Sequence, residues 1–306
     1  MGPMEVSIPP AFVEGIGEEL AAHRLWLGRI GGARVDWTRR RMAGIDMRDA
    51  VLTSAMLRAT DLSASVLDRT RLDGAILVEG DLRGARLERT DFTGADLRWT
   101  RFDGASGAQL TLSEANLGEA VLAGADLEES RWFDAIVERT VLAGAKLARA
   151  AFSQARVTQA DFSGCDLRGA NLAHARFSLS KFVRACLEGA RCNDGSFTDC
   201  NLAQSVLDGA SLVRANFSRC NFDRASLANS DLREARLNAA DLSGARLTGA
   251  RMRMTQLYAA DLRGADLSGA RDLTPDQLSA AKTDAATILP NGAPGPYFRW
   301  SGSERP

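Results

Sequence analysis

The chain has 306 residues, with 38 Lys and Arg against 39 Asp and Glu and a net charge of −1, which excludes a strongly charged surface overall. Five cysteines, an odd number without metal-type spacing, argue against a disulfide framework or a zinc site. The size alone suggests two globular domains, but an internal period overrules it.

The opening MGPMEVSIPP has no basic stretch followed by an apolar one, and no hydrophobic run is long enough to span a bilayer. A cytoplasmic location and no membrane contact are expected. Ile16, Leu20, His23 and Leu27 then lie on one face of a helix ending at Gly28, with Trp26 beside it. Residues 1–34 are read as a helical cap.

Residues 35–271 repeat every five residues without insertion or deletion. Centres run from Trp37 to Leu267 in 47 units: 29 Leu, 9 Phe, 3 Met, 2 Val and 2 Trp, with Gly107 and Cys192 as exceptions. Two residues before each centre the side chain is small in 43 of 47 units, all but Val35, Arg40, Ile45 and Leu110. A period of five fits neither the helix repeat of 3.6 nor the strand repeat of 2. It fits a coil in which each unit makes one side and one corner, with the centre and the small residue pointing inward. Four sides close a coil of about twenty residues, and nearly twelve coils stacked at the strand spacing of about 4.8 Å would extend roughly 55 Å.

Residues twenty apart should then stack. Phe177, Phe197 and Phe217 form one inward column, Phe162 and Phe182 another, and Trp132 sits beneath Phe152. Outside, Arg83 should meet Asp103, Glu119 Arg139, Arg168 Glu188, and Arg246 Asp266. The glycine line at 84, 104, 124, 144, 164, 244 and 264 suggests a corner needing positive φ or close approach. Gly107 empties a centre and Leu110 overfills the next small position, which is read as a compensating bulge. Val35, Arg40 and Ile45 suggest an irregular first coil.

At the far end Thr274-Pro275-Asp276-Gln277 reads as a capping box, followed by Leu278 and Ala281 on a covering helix within residues 272–290. All eight prolines lie outside residues 11–274, as uninterrupted ladder bonding requires. Residues 291–306 are read as a flexible tail that Tyr297, Phe298 and Trp300 could pin.

Ala95-Asp96-Leu97-Arg98-Trp99, Ala125-Asp126-Leu127-Glu128-Glu129, Ala170-Asn171-Leu172-Ala173-His174 and Ala265-Asp266-Leu267-Ser268-Gly269 resemble the A(D/N)LXX pattern of the pentapeptide-repeat family. The resemblance implies an all-β solenoid, a right-handed quadrilateral parallel β-helix with short capping helices at both ends. The chain departs from the pattern before the centre: 18 units have Asp or Asn there and 13 have Arg or Lys.

Catalytic, cofactor and metal sites are not expected. His23 falls on the capping stripe, His174 lies outward without a Cys or acid constellation, and no phosphate-binding glycine loop precedes a helix. Cys200 and Cys220 stack in neighbouring coils, and free buried thiols are expected. A non-enzymatic protein-binding solenoid remains, in two versions. The resemblance implies the sharper one, because fluoroquinolone-resistance and toxin-immunity members mimic B-form DNA and bind DNA gyrase or topoisomerase IV. Its candidate surface is Glu114, Glu119, Asp126, Glu128, Glu129, Asp134 and Glu138; Arg168, Arg176, Lys181, Arg184 and Arg191 reverse the sign further on. The other version is a scaffold or adaptor without nucleic-acid mimicry, meeting a partner or a second copy through an outward apolar patch at Met56, Ile76, Val78 and Trp99. Direct nucleic-acid binding is disfavoured, because the basic residues alternate with acids and lack interleaved aromatics.

Overall fold

The computed structural model describes residues 10–297. Its backbone is governed by one recurrence: all 47 corner residues, two past each centre from Arg39 to Gly269, have positive φ. The unit around Leu82 shows where the hydrogen bonds go. Asp81 N–H donates to Thr60 O in the preceding coil (3.0 Å), while Leu82 and Gly84 N–H donate to Arg101 O (2.7 Å) and Asp103 O (3.0 Å) in the next. Ala85 N–H closes the corner on Leu82 O (3.1 Å). One N–H per unit, here that of Arg83, has no main-chain acceptor.

The chain divides into two compact units, residues 1–141 and 142–306. In the first, parallel bridges join residues twenty apart from Asp36↔Met56 to Val121↔Val141. The second repeats the register from Lys146↔Asp166 to Arg251↔Arg271. Four faces result in each unit, numbered here by the centres at Trp37, Met42, Met47 and Leu52 and their successors at twenty-residue steps. Four first-face units run extended as short strands. They are β1 (Ile136–Glu138) in the first unit and β2 (Arg156–Thr158), β3 (Arg176–Ser178) and β4 (Ser196–Thr198) in the second. The last three pair in parallel, with Phe177 opposite Val157 and Phe197.

All 47 centres are buried, as is every small position except Arg40, which is half-buried. Phe197 lies stacked between Phe177 and Phe217, with both ring centroids 4.8 Å away, and Phe162 stacks on Phe182 at 4.9 Å. Threonines at the small positions do more than fit. Thr60, Thr70, Thr90, Thr140 and Thr255 each donate a hydroxyl to the carbonyl of the centre 23 residues earlier, at 2.8 Å, linking neighbouring coils inside the core.

Two expectations are corrected here. Gly107 marks no bulge, because the ladder continues through Arg86↔Ser106 and Ser106↔Asp126 with Gly107 N–H on Asp126 O (2.8 Å). Bulk is exchanged instead. A Cβ on Gly107 would fall 2.6 Å from the Leu87 carbonyl group, while Leu110 is buried in the neighbouring slot. The glycine line does have positive φ, but so does every other corner, and nothing lies within 4 Å of a Cβ at Gly84, Gly104, Gly124, Gly144 or Gly164. Of the 47 corners 32 hold other residues, at roughly 1–2 kcal/mol each. None of those 32 is Val, Ile or Thr, whose branched Cβ tolerates this region least.

Helix α1 (Pro10–Leu27) covers the first coil. His23, fully buried, accepts the Val35 N–H at Nδ1 (3.1 Å) and donates from Nε2 to Thr53 O (3.1 Å). Glu19 accepts from Arg40 (3.0 Å) and from the Trp37 indole. The first coil is therefore regular, contrary to expectation. Val35, whose N–H is held by His23, and Ile45 fit inside it despite their size, and both are buried. The helix ends at Leu27 with Gly28 next, as expected, and the left-handed residue that follows is Arg29 at φ 57°. Gly32 is the glycine that the geometry requires, since a Cβ there would lie 2.1 Å from Ala22 O.

At the other end, α2 (Pro275–Ser279) has the expected capping box, with Thr274 and Gln277 exchanging bonds. The Gln277 amide also donates to Met252 O (2.9 Å) and Thr255 O (2.8 Å), satisfying carbonyls at the open edge of the last coil. Residues 280–290 extend the ladder through Lys282 N–H on Ala260 O and Ile288 N–H on Ala265 O. The segment after Pro290 is not loose up to Tyr297, which is buried and donates its N–H to Thr283 Oγ1 (2.9 Å). Phe298 and Trp300 lie outside the described residues.

Two measurements check this architecture. Phe197→Ala opens a void between two stacked rings and is expected to cost about 3–5 kcal/mol in denaturant unfolding; a loss under about 1 kcal/mol contradicts the stacking. For the cap, desolvation lowers the His23 pKa, opposed by the bond to Thr53 O and aided by nearby Arg34. Protonation would put a proton on Nδ1 against the Val35 N–H. Because the folded pKa lies below the unfolded value of about 6.5, the stabilisation is complete above that value and is lost as pH falls through the folded pKa. Unfolding measured from pH 8 to 5 should show that loss in wild type and not in His23→Gln.

Candidate functional site

With the core closed, function falls to the side chains on the outside, and many of these are already engaged. Of the 18 Asp or Asn residues before a centre, at least 17 accept the N–H two residues on through Oδ1, the donor left over in each unit. Where another residue precedes the centre, a side chain from the coil before can substitute. Asp68 accepts from Glu88 N–H (3.2 Å), Glu88 from Ala108 N–H (3.1 Å) and Asp208 from Ala228 N–H (3.0 Å).

The same Asp residues hold arginines within their own unit. Arg83 donates to Asp81, Arg98 to Asp96 and Arg168 to Asp166, each from Nε to Oδ1 at 2.8 Å, and Arg233 and Arg263 repeat the pattern. Those guanidinium bonds hold the five carboxyls below the usual Asp range, against a partial desolvation penalty. Three of the four expected coil-to-coil pairs are displaced. Arg83 and Arg168 turn to their own Asp, and Arg246 reaches Asp208 two coils back (2.7 Å). Arg139 does meet Glu119, at 2.9 Å.

The seven acidic residues of 114–138 do not form one surface. Glu114 and Asp134 occupy fourth-face corners, Glu119 and Glu138 the first face, and Asp126, Glu128 and Glu129 the third. Arg139 pairs with both Glu119 and Glu138 (2.6 Å), and its hydrogen bond, followed by that of the Trp99 indole, lowers the Glu119 pKa. A recess beside Gly107 is lined by Asp68, Arg86, Glu88, Asp126 and Glu128, yet Asp68 is buried there against Arg86 (2.6 Å).

The apolar patch is also corrected. Val78 is fully buried, Met56 and Ile76 are half-buried, and Trp99 is 45% exposed with Arg98 5.4 Å from its ring centroid. Ile136, missed in the sequence, continues the column of Met56, Ile76, Asp96 and Asn116. Leu179 and Met254 were missed as well. Both are exposed at left-handed corners, as Trp99 is, and a bulky apolar residue two past a centre was the signal.

Among the described residues no cluster of His, Cys, Asp or Glu could hold a metal ion, and no helix is long and apolar enough to cross a membrane. All five cysteines are free. Burial pushes the Cys165 and Cys192 thiols up to about 12. Cys220, whose thiol donates to Phe197 O, is raised first by burial, and its neighbour Cys200 is lowered by the interaction with it.

The Pentapeptide repeats family matches the chain in eight copies, over residues 77–106, 134–164, 160–191, 196–233 and 230–271. The chain belongs to that family. Among solved structures it is similar to HetL, a pentapeptide-repeat protein involved in heterocyst differentiation regulation from the cyanobacterium Nostoc sp. strain PCC 7120, at 27% identity over 89% of this chain and 97% of that one, with a TM-score of 0.31. It is also similar to full-length QnrB1, a plasmid-mediated fluoroquinolone resistance protein, at 17% identity over 69% of this chain and 92% of that one, with a TM-score of 0.29. No curated protein is similar enough to count as a relative.

The two roles of Asp166 separate by substitution. Asp166→Ala removes both the N–H acceptor and the Arg168 partner and is expected to cost about 1 kcal/mol in denaturant unfolding. Asp166→Asn keeps the acceptor and should cost under about 0.5 kcal/mol, the worth of an exposed ion pair. Equal losses would assign the carboxylate to the arginine instead.

Proposed function

We propose that this chain is a non-enzymatic protein-binding solenoid, a scaffold or adaptor that meets its partner through outward side chains. The carrying observation is the placement of bulky apolar residues at strained, exposed corners: Trp99, Leu179 and Met254 are 45%, 56% and 64% exposed at positive φ. Glycine fits such a corner without the left-handed penalty of about 1–2 kcal/mol, and none of the three serves the core. A contact made when a partner arrives would account for them.

The sharper version, DNA mimicry that protects DNA gyrase or topoisomerase IV against inhibitors or toxins, draws on the family and has less support here. A phosphate-like array needs free, aligned negative charge. The acids of 114–138 are spread over three faces, two of them bonded to Arg139. A cytoplasmic setting fits either version.

Supercoiling by gyrase with and without a fluoroquinolone separates the two. The scaffold reading expects no inhibition and no protection at any concentration. Protection by wild type that disappears when Glu128, Glu129 and Asp134 are changed to Lys would establish the mimic. For the scaffold, Trp99→Asp should weaken partner capture at least tenfold, with little dependence on salt.

A further inference from the structure

Many outward arginines lie against a carboxylate, but three on the first face of the second unit do not. Arg156 and Arg176 stand directly opposite each other on β2 and β3, about 4.8 Å apart at the strand spacing, both exposed and without a hydrogen-bond or ion-pair partner. Arg236 is likewise free on the same face. Among the described residues, Asp199 is this face's one carboxylate, and Arg219 occupies it at 2.7 Å. The comparable stack of Arg251 and Arg271 on the fourth face has Asp231 beside it, 3.8 Å from Arg251. Like charges placed opposite one another in a sheet repel, so the uncompensated stack costs stability and gives the core nothing.

The residues around the stack are suited to recognition. Beside the arginines runs a column of hydroxyls, Thr158, Ser178 and Thr198, with Thr158 and Ser178 Oγ atoms 3.3 Å apart. Leu179 adds an exposed apolar side chain at the corner. Main-chain groups of β2 to β4 bond coil to coil, so a ligand on this face is read by side chains alone. We infer that this face docks an acidic peptide segment of a partner protein, its carboxylates held by Arg156 and Arg176 and its polar groups by the hydroxyl column. The inference rests on the protein-binding reading above and names the chemistry of the partner.

Charge complementarity selects the occupant. A guanidinium takes a carboxylate through two parallel hydrogen bonds, and two stacked guanidiniums match acidic side chains on an extended chain. A nucleic acid fits less well. Three free arginines are few for phosphate-driven binding, and the exposed ring of Tyr258 on this face lies four coils from Arg176, too far for bases stacked on it to share the arginine pair.

Fluorescence anisotropy with a labelled hexaglutamate peptide tests the site on the full chain. Wild type should bind it, a hexalysine peptide should not bind, and Arg156→Gln with Arg176→Gln should weaken hexaglutamate at least tenfold. Arg263→Gln, which removes an arginine held by Asp261, should leave binding unchanged. Relief of repulsion should leave the double variant melting at or above wild type, and a lower melting temperature would assign the arginines a structural role and overturn the inference. Equal peptide affinity in wild type and the double variant overturns it too, as does tighter binding of a 20-nucleotide oligothymidine that the same substitutions abolish. If Trp99→Asp loses a partner that the double variant retains, this face is wrong while the protein-binding reading stands.

Discussion

Everything in this protein depends on the chain turning a corner every fifth residue through a left-handed backbone conformation. The cost recurs at 32 non-glycine corners and is offset because each corner returns the chain to the register in which its N–H and C=O groups meet those of neighbouring coils. The corner also decides the composition of the unit. It leaves one N–H over, which is why Asp or Asn so often precedes the centre, and it excludes branched Cβ atoms, which is why Arg, Glu, Gln, Ala and Gly fill the turn.

That arrangement weighs against reading acidity as function. An Asp that accepts a backbone N–H and an arginine in the same unit acts locally, and its charge is neutralised within a few ångströms. The informative side chains are the exposed corner residues Leu179 and Met254, Trp99 beside Glu119 and Arg98, and the stacked Arg156 and Arg176.

The period made the coil legible before any coordinates. Inward columns followed from spacing, and Phe197 sits between Phe177 and Phe217 as a twenty-residue coil demands. Polar partners were less legible, because spacing gives adjacency and not direction. Arg83 lies as near in register to Asp103 as to Asp81, and only the turn geometry that aims Asp81 at the Arg83 N–H decides between them. The apolar patch failed for a related reason. Outward positions differ in depth, so Val78 is enclosed while Trp99, at the corner, is open. Helix α1 hid its polar anchors: a stripe of Ile16, Leu20 and His23 gives a docking face but not the bonds of His23 to Val35 and Thr53.

The unbroken five-residue count carries a geometric consequence of its own. Adding or losing one unit between Leu179 and Ser196 would leave every corner closed and every centre buried, so the fold itself would tolerate the change. It would nevertheless turn all following residues by a quarter of the coil. Ser196 and Thr198 would leave the side that holds Arg156 and Arg176, and a different set of side chains would stand beside the arginine pair. For a molecule that works through one of its sides, the number of units is thus part of the address at which each side chain is delivered.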